Sequence, residues 1–179
     1  MTMTPILRKF ALTVHLTSSV GWIGAVAAYL VLDITVATNQ DAQALRASWM
    51  AMGIITGYVI VPFALTSLLT GLVMSLGTKW GLFQHYWVLI SFALTIVAII
   101  ILLSETQLIN RMTDIAADPT MSLDSLRALP NTLLHSVGGT LVLLVTQVLN
   151  VYKPRGLTPY GWRKQHEQRL IRQSIDAEA

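Results

Sequence analysis

Cysteine is absent from this chain and charge is scarce: only 12% of its 179 residues are Asp, Glu, Lys or Arg. The first absence excludes disulfides, thiolate metal sites and redox thiols, so any metal must rest on His, Met or carboxylate. The second sets the chain apart from an ordinary water-soluble domain, about a quarter of which is charged. There is also no phosphate-binding loop, nucleophile elbow, nucleic-acid motif or internal repeat.

The residues that are present point to a bilayer. Hydrophobic residues make up 54% of the chain, and no charge falls in Phe10 to Leu32, Ala47 to Thr78, Trp80 to Ser104 or Ala128 to Tyr152. Each run exceeds the roughly 20 residues an α-helix needs to cross the hydrocarbon core. Helices satisfy their backbone hydrogen bonds internally, whereas a β-barrel would show shorter, alternating segments. The expected fold is all-α, a four-transmembrane-helix up-and-down bundle over residues 1–152. Its helices are expected at about 6–35, 48–77, 82–108 and 130–152, with a basic cytoplasmic tail at 153–179.

Charge orients the bundle. Arg8 and Lys9 precede the first helix, Lys79 lies between the second and third, and Lys153, Arg155, Arg163, Lys164, Arg169 and Arg172 follow the fourth. The other side has Arg46, Arg111 and Arg127 against Asp33, Asp41, Glu105, Asp114, Asp118 and Asp124. The positive-inside rule puts both termini in the cytoplasm. Arg8, Lys9 and "AVA" at 25–27 imitate a cleavable leader, but the apolar run continues to Leu32 and includes His15, Ser18 and Ser19, so a retained helix is expected. Trp49 is expected at the outer interface, and Trp80, Tyr86, Trp87, Tyr152, Tyr160 and Trp162 at the inner one. Trp22 and Tyr58 fall near mid-membrane. Asn39 or Asp41 can cap a helical turn; Asp118-Pro119 marks a turn, and Ser122 can cap a short helix over the outer mouth.

The polar residues of the spans are aligned. At 3.6 residues per turn, His15, Ser19, Trp22, Val26, Tyr29 and Asp33 share one face of the first helix. Beside them Ser18, Gly21, Ala25 and Ala28 form a small-residue seam suited to close helix packing. His135, Gly139, Val142, Thr146 and Asn150 share a face of the fourth helix. In the second helix, Pro62 should loosen the middle and free a carbonyl. By depth, His15 falls near His85, Met74, Thr146 and Gln147, an expected inner site. His135 falls near Tyr29, Asp33, Met52 and Glu105, an expected outer site.

An ionisable group within a span is costly enough to suggest function, and neutral imidazole is a good ligand for haem iron, copper or zinc. Two imidazoles on facing helices can hold a haem, with glycines clearing room for the macrocycle and Trp22 packing on it. Each residue also has a plainer reading. His15 can hydrogen-bond a neighbouring helix, His85 in "FQHYW" can be a wet interfacial histidine, and His135 can face the outer water. Met52 and Met74 can be core filler, and Asp33 and Glu105 solvated carboxylates at helix ends. No carboxylate pair lies mid-span and no inverted repeat occurs, which weighs against an ion-coupled transporter.

"HLTSSVGWIG" places Trp22 seven and Gly24 nine residues after His15. It resembles the first helix of copper-resistance D-like and cytochrome b561-like membrane proteins. From about residue 6 to 165 the chain also resembles a bacterial family of integral membrane proteins of unknown function, through "VGWIGAVAAYL", "LTGLVMSLGTKWGLFQHYW", "LHSVGG" and "VYKPRGLTPYG". The second resemblance implies four membrane helices and little else; the expected location is a bacterial inner membrane. The first implies haem b on helix histidines, and His15 alone matches its motif. A two-haem bundle of that kind needs four ligand histidines, whereas this chain has three within its spans. The leading expectation is a haem b redox or electron-transfer bundle ligated by His15 with His85 or His135. Copper is the runner-up cofactor. The lipid bilayer, a membrane redox partner or a second copy are its expected partners, and nucleic acid is not. The alternative is a non-catalytic partner subunit, or a small-solute or copper permease whose histidines and hydroxyls are packing glue.

Overall fold

The structure, a computed structural model, describes residues 3–78 and 81–178. Lys79 and Trp80, assigned above to the basic side and the inner aromatic belt, lie outside the described residues. Among those residues every regular element is a helix: α1 (Pro5–Thr38), α2 (Ala42–Gly77), α3 (Tyr86–Ala117), α4 (Leu123–Arg127), α5 (Leu133–Tyr152) and α6 (Pro159–Glu178). Four of them, α1, α2, α3 and α5, are long and apolar enough to cross a membrane. They pack in a ring, α1 on α2, α2 on α3, α3 on α5 and α5 back on α1. Phe10, Val20, Val31, Ile54, Leu69, Ile100, Leu141 and Val148 are exposed around the outside. An apolar girdle of that extent fits a bilayer, where lipid solvates it, and would be an aggregation liability in water. Tyr58 stands on this girdle at 83% exposure, so its mid-membrane ring faces outward.

Unequal helix lengths shape the rest. α1, α2 and α3 have 34, 36 and 32 residues, whereas α5 has 20, close to the minimum for a crossing. At the end carrying the termini the helices are tied level: Met3 N–H donates to the Gly77 carbonyl at 3.2 Å and Tyr86 N–H to that of Gly156 at 3.2 Å. The surplus therefore projects at the opposite, loop end, where it forms a cap. Asp41 accepts from the Ala44 amide at 2.9 Å and starts α2 at Ala42 rather than near residue 48. α3 runs on to Ala117 rather than stopping near 108, because Ile109, Met112 and Ala116 recur on one buried face and join Leu45, Trp49 and Leu126 in the core. Trp49, fully buried, is thus a core residue of the cap and not the interfacial ring expected from its position.

The cap is fastened through backbone oxygens. Arg46 donates to the carbonyls of Ala116 at 3.0 Å, Pro119 at 3.4 Å, and Asp118 and Met121. One guanidinium thereby satisfies the frayed end of α3 and the turn after it, groups a helix terminus leaves orphaned. The Thr120 hydroxyl and amide both donate to the Asp118 carboxylate and hold its pKa below the usual range. Ser122 accepts from the Ser125 amide at 3.2 Å and caps α4.

Pro62 leaves its mark within α2. Having no N–H, it cannot continue the i to i−4 ladder. The backbone responds with a wide turn over Thr56–Ile60, in which the Val61 amide reaches the Thr56 carbonyl five residues back. Such π-turns rotate the helix on one side relative to the other and recur beside functional sites.

At the terminal end, "LFQHYW" and "YKPRGLTPYG" dock on each other. Thr158 N–H donates to the Gln84 carbonyl at 3.0 Å, and His85 and Leu157 form an antiparallel bridge. The Thr158 hydroxyl bonds the Phe83 carbonyl and accepts from the Gly161 amide at 3.0 Å, capping α6.

Candidate functional site

Two cavities, each of about 280 Å³, lie inside the ring. Trp22 on α1 and Leu143 on α5 line both, and at 4% and 6% exposure they form the partition between them.

The cavity toward the terminal end gathers His15, Met74, Thr146 and Gln147, as the depth count anticipated, together with Gly71, Ser75, Ser91 and Trp87. His15 Nδ1 lies 3.1 Å from the Ser67 carbonyl oxygen and 3.1 Å from the Thr70 hydroxyl. A carbonyl only accepts, so Nδ1 carries the proton and Nε2 is left with its lone pair. The Thr70 hydroxyl is itself committed as a donor to the Thr66 carbonyl at 2.6 Å. The hydroxyls next to His15 are likewise spent within the helices. Ser19 donates to the His15 carbonyl at 2.6 Å and accepts from Ser67 at 2.9 Å, and Ser18 donates to the same carbonyl at 3.1 Å. Gly71 borders the imidazole closely: a Cβ at that position would come within 3.1 Å of the His15 ring and press on it.

The cavity toward the loop end is lined by Tyr29, Glu105 and His135, with Thr56 from the wide turn of α2 and Gly138 and Gly139 of α5. His135 Nε2 lies 3.6 Å from Glu105 Oε1. Behind this wall, Asp33 is 1% exposed and takes hydrogen bonds from Thr132 at 2.9 Å and Ser136 at 2.7 Å, while Tyr29 bonds Thr132 at 3.3 Å. Asp33 is therefore a buried tie between α1 and the start of α5, which corrects its reading as a solvated carboxylate. Met52 is packed in the cap core and does not line the cavity.

Of the three histidines expected as ligands, His15 lines one cavity and His135 the other. His85 lines neither: it precedes α3 in the docked loop, with its ring 6.4 Å from that of Trp87. Among the described residues no three His, Cys, Asp or Glu side chains cluster so as to chelate an ion. Thr56, Thr132 and Ser136 were not legible as site residues. Thr132 and Ser136, four apart at a helix start, carry a detectable spacing signal, whereas Thr56 opens the wide turn ahead of Pro62, which no spacing marks. No protein-family model matches the chain, and no curated protein or solved structure matches it either.

Proposed function

We propose that the protein is a redox bundle of the bacterial inner membrane that holds haem b on His15, with both termini in the cytoplasm. One observation supports the haem reading. The Nδ1–H of His15 is bound to a backbone carbonyl, the outer-shell partner that fixes a ligating imidazole's tautomer and leaves Nε2 for a metal. A porphyrin supplies four of its iron's ligands, so one or two side chains suffice, while copper or zinc held by protein alone takes three or four. The chain fits the first requirement better than the second.

When bound, haem b would supply one-electron transfer. Ser67 would orient His15, and Gly71 would keep space beside the ring. Met74, in the same cavity, carries a thioether able to ligate iron. Leu12, Leu16 and Val151, all exposed, are part of the wall, so the cavity opens between α1 and α5 and does not confine its occupant to the enclosed volume. The orientation rests on the basic residues around the terminal end. A second reading, a conduit for a small solute, is favoured by the stacking of the two cavities across the Trp22 and Leu143 partition.

Absorbance of protein purified from haem-replete cells tests the proposal. We expect a Soret band that His15→Ala removes without loss of folding, and that His85→Ala and His135→Ala retain. A colourless wild type overturns it.

A further inference from the structure

We propose that the loop-end cavity binds a lipid-soluble molecule whose ring-shaped head carries hydroxyl donors, the chemistry of a reduced membrane quinone. The inference does not rest on haem at His15, which lies beyond the Trp22 and Leu143 partition.

Unmet hydrogen bonds carry the argument. Thr56, fully buried, has a hydroxyl with no hydrogen-bond partner, and Glu105 Oε2 is likewise buried and unpartnered. Both residues line this cavity. A buried polar atom without a partner is destabilising, and in native proteins most such atoms have one, so two in one cavity mark the place of an occupant. The carboxylate oxygen only accepts, and the Thr56 hydroxyl accepts as readily as it donates. A head group with an O–H for Glu105 and a second hydroxyl for Thr56 would therefore satisfy both.

The rest of the wall fits a flat, apolar body. A Cβ built on Gly138 or Gly139 meets nothing within 4 Å, so this strip of α5 borders open space. Apart from Trp22, Tyr29 and the polar groups at the Glu105 and Thr132 side, the lining around it is aliphatic. The entrance is apolar too. Val97 and Ile101 on α3 and Leu134 on α5 are exposed at 53%, 45% and 81% while also lining the cavity. A molecule can thus enter sideways from the lipid between α3 and α5, keeping a hydrocarbon tail in the bilayer. His135, half-exposed beside Glu105, lies at the wet rim of the same space.

The test is calorimetric titration of the full chain in lipid nanodiscs with 2-decyl-1,4-hydroquinone, and with its dimethyl ether as the donor-free probe, under anaerobic conditions. We expect the hydroquinone to bind at least about tenfold more tightly than the ether. Thr56→Val and Glu105→Gln should each lower its affinity by about tenfold, since the first removes a hydroxyl and the second a carboxylate oxygen. Gly139→Leu grows into open space, so it should leave the protein at least as resistant to thermal unfolding and abolish binding. Absence of hydroquinone binding to the wild type, equal affinity for the ether, or undiminished binding by folded Gly139→Leu overturns the proposal. Failure of this titration leaves the Soret test untouched, and the reverse also holds.

Discussion

Asp33 carries a carboxylate into the wall of the bundle at 1% exposure, and its oxygens take hydrogen bonds from Thr132 and Ser136. Both donors sit where α5 begins, so the positive end of that helix's dipole adds a favourable field for the negative charge. Replacing Asp33 with Ala leaves two buried hydroxyls without their acceptor. Hydrogen bonds to charged groups contribute about 1.5–3 kcal/mol, although interhelical ones in membranes fall toward the lower end, so a loss of about 2 kcal/mol is expected. Asp33→Asn, which keeps one acceptor, should lose less. Denaturant unfolding in mild detergent measures both, and an Asp33→Ala protein as stable as the wild type would refute this assignment. The alignment of His15, Ser19, Trp22, Tyr29 and Asp33 was legible, because helical periodicity is a local property. That Asp33 is buried was not legible, because its partners lie about a hundred residues away and are brought back only by the fold of the 118–132 loop.

Helices α1, α2, α3 and α5 follow from four charge-free runs, and their ends follow from local chemistry that hydropathy does not register. Asp41 starts α2 early, the buried Ile109, Met112 and Ala116 face extends α3, and Pro62 diverts α2 into a wide turn. The junction between α5 and α6 is a further case. A Cβ at Gly161 would lie 2.3 Å from the Gln84 carbonyl oxygen, a backbone atom that cannot swing aside, whereas one at Gly156 would meet only the Tyr86 ring at 3.6 Å. Helix propensity alone would favour Ala over Gly within α6 by about 1 kcal/mol. The contact opposes this and should win. Gly161→Ala is expected to undock the tail and raise the rate of tryptic cleavage after Arg155 by about tenfold, with Gly156→Ala unchanged. Equal cleavage of Gly161→Ala and wild type would show that this close approach does not hold the tail.

For the whole molecule, packing and orientation are separate matters. Burial of Trp22, Trp49 and Met52 and the ring of four helices are internal to the chain, but the choice of which end faces the cytoplasm is made by charge against the membrane. Arg8, Lys9, Lys153 and Arg155 are exposed at the terminal end, whereas Asp41, Asp118 and Asp124 are exposed at the loop end. The basic residues cost most to translocate, so the terminal end should stay inside. The absence of cysteine makes this directly testable, since a single introduced thiol has no background. Gln40 and Ser174 are exposed at opposite ends of the bundle, the first in the α1–α2 loop and the second in α6. In intact cells a membrane-impermeant maleimide should label Gln40→Cys readily, and Ser174→Cys only after the inner membrane is broken. The opposite pattern would invert the bundle. His15 and its cavity would then face the periplasm, and the hydroxyl-binding cavity would face the cytoplasm.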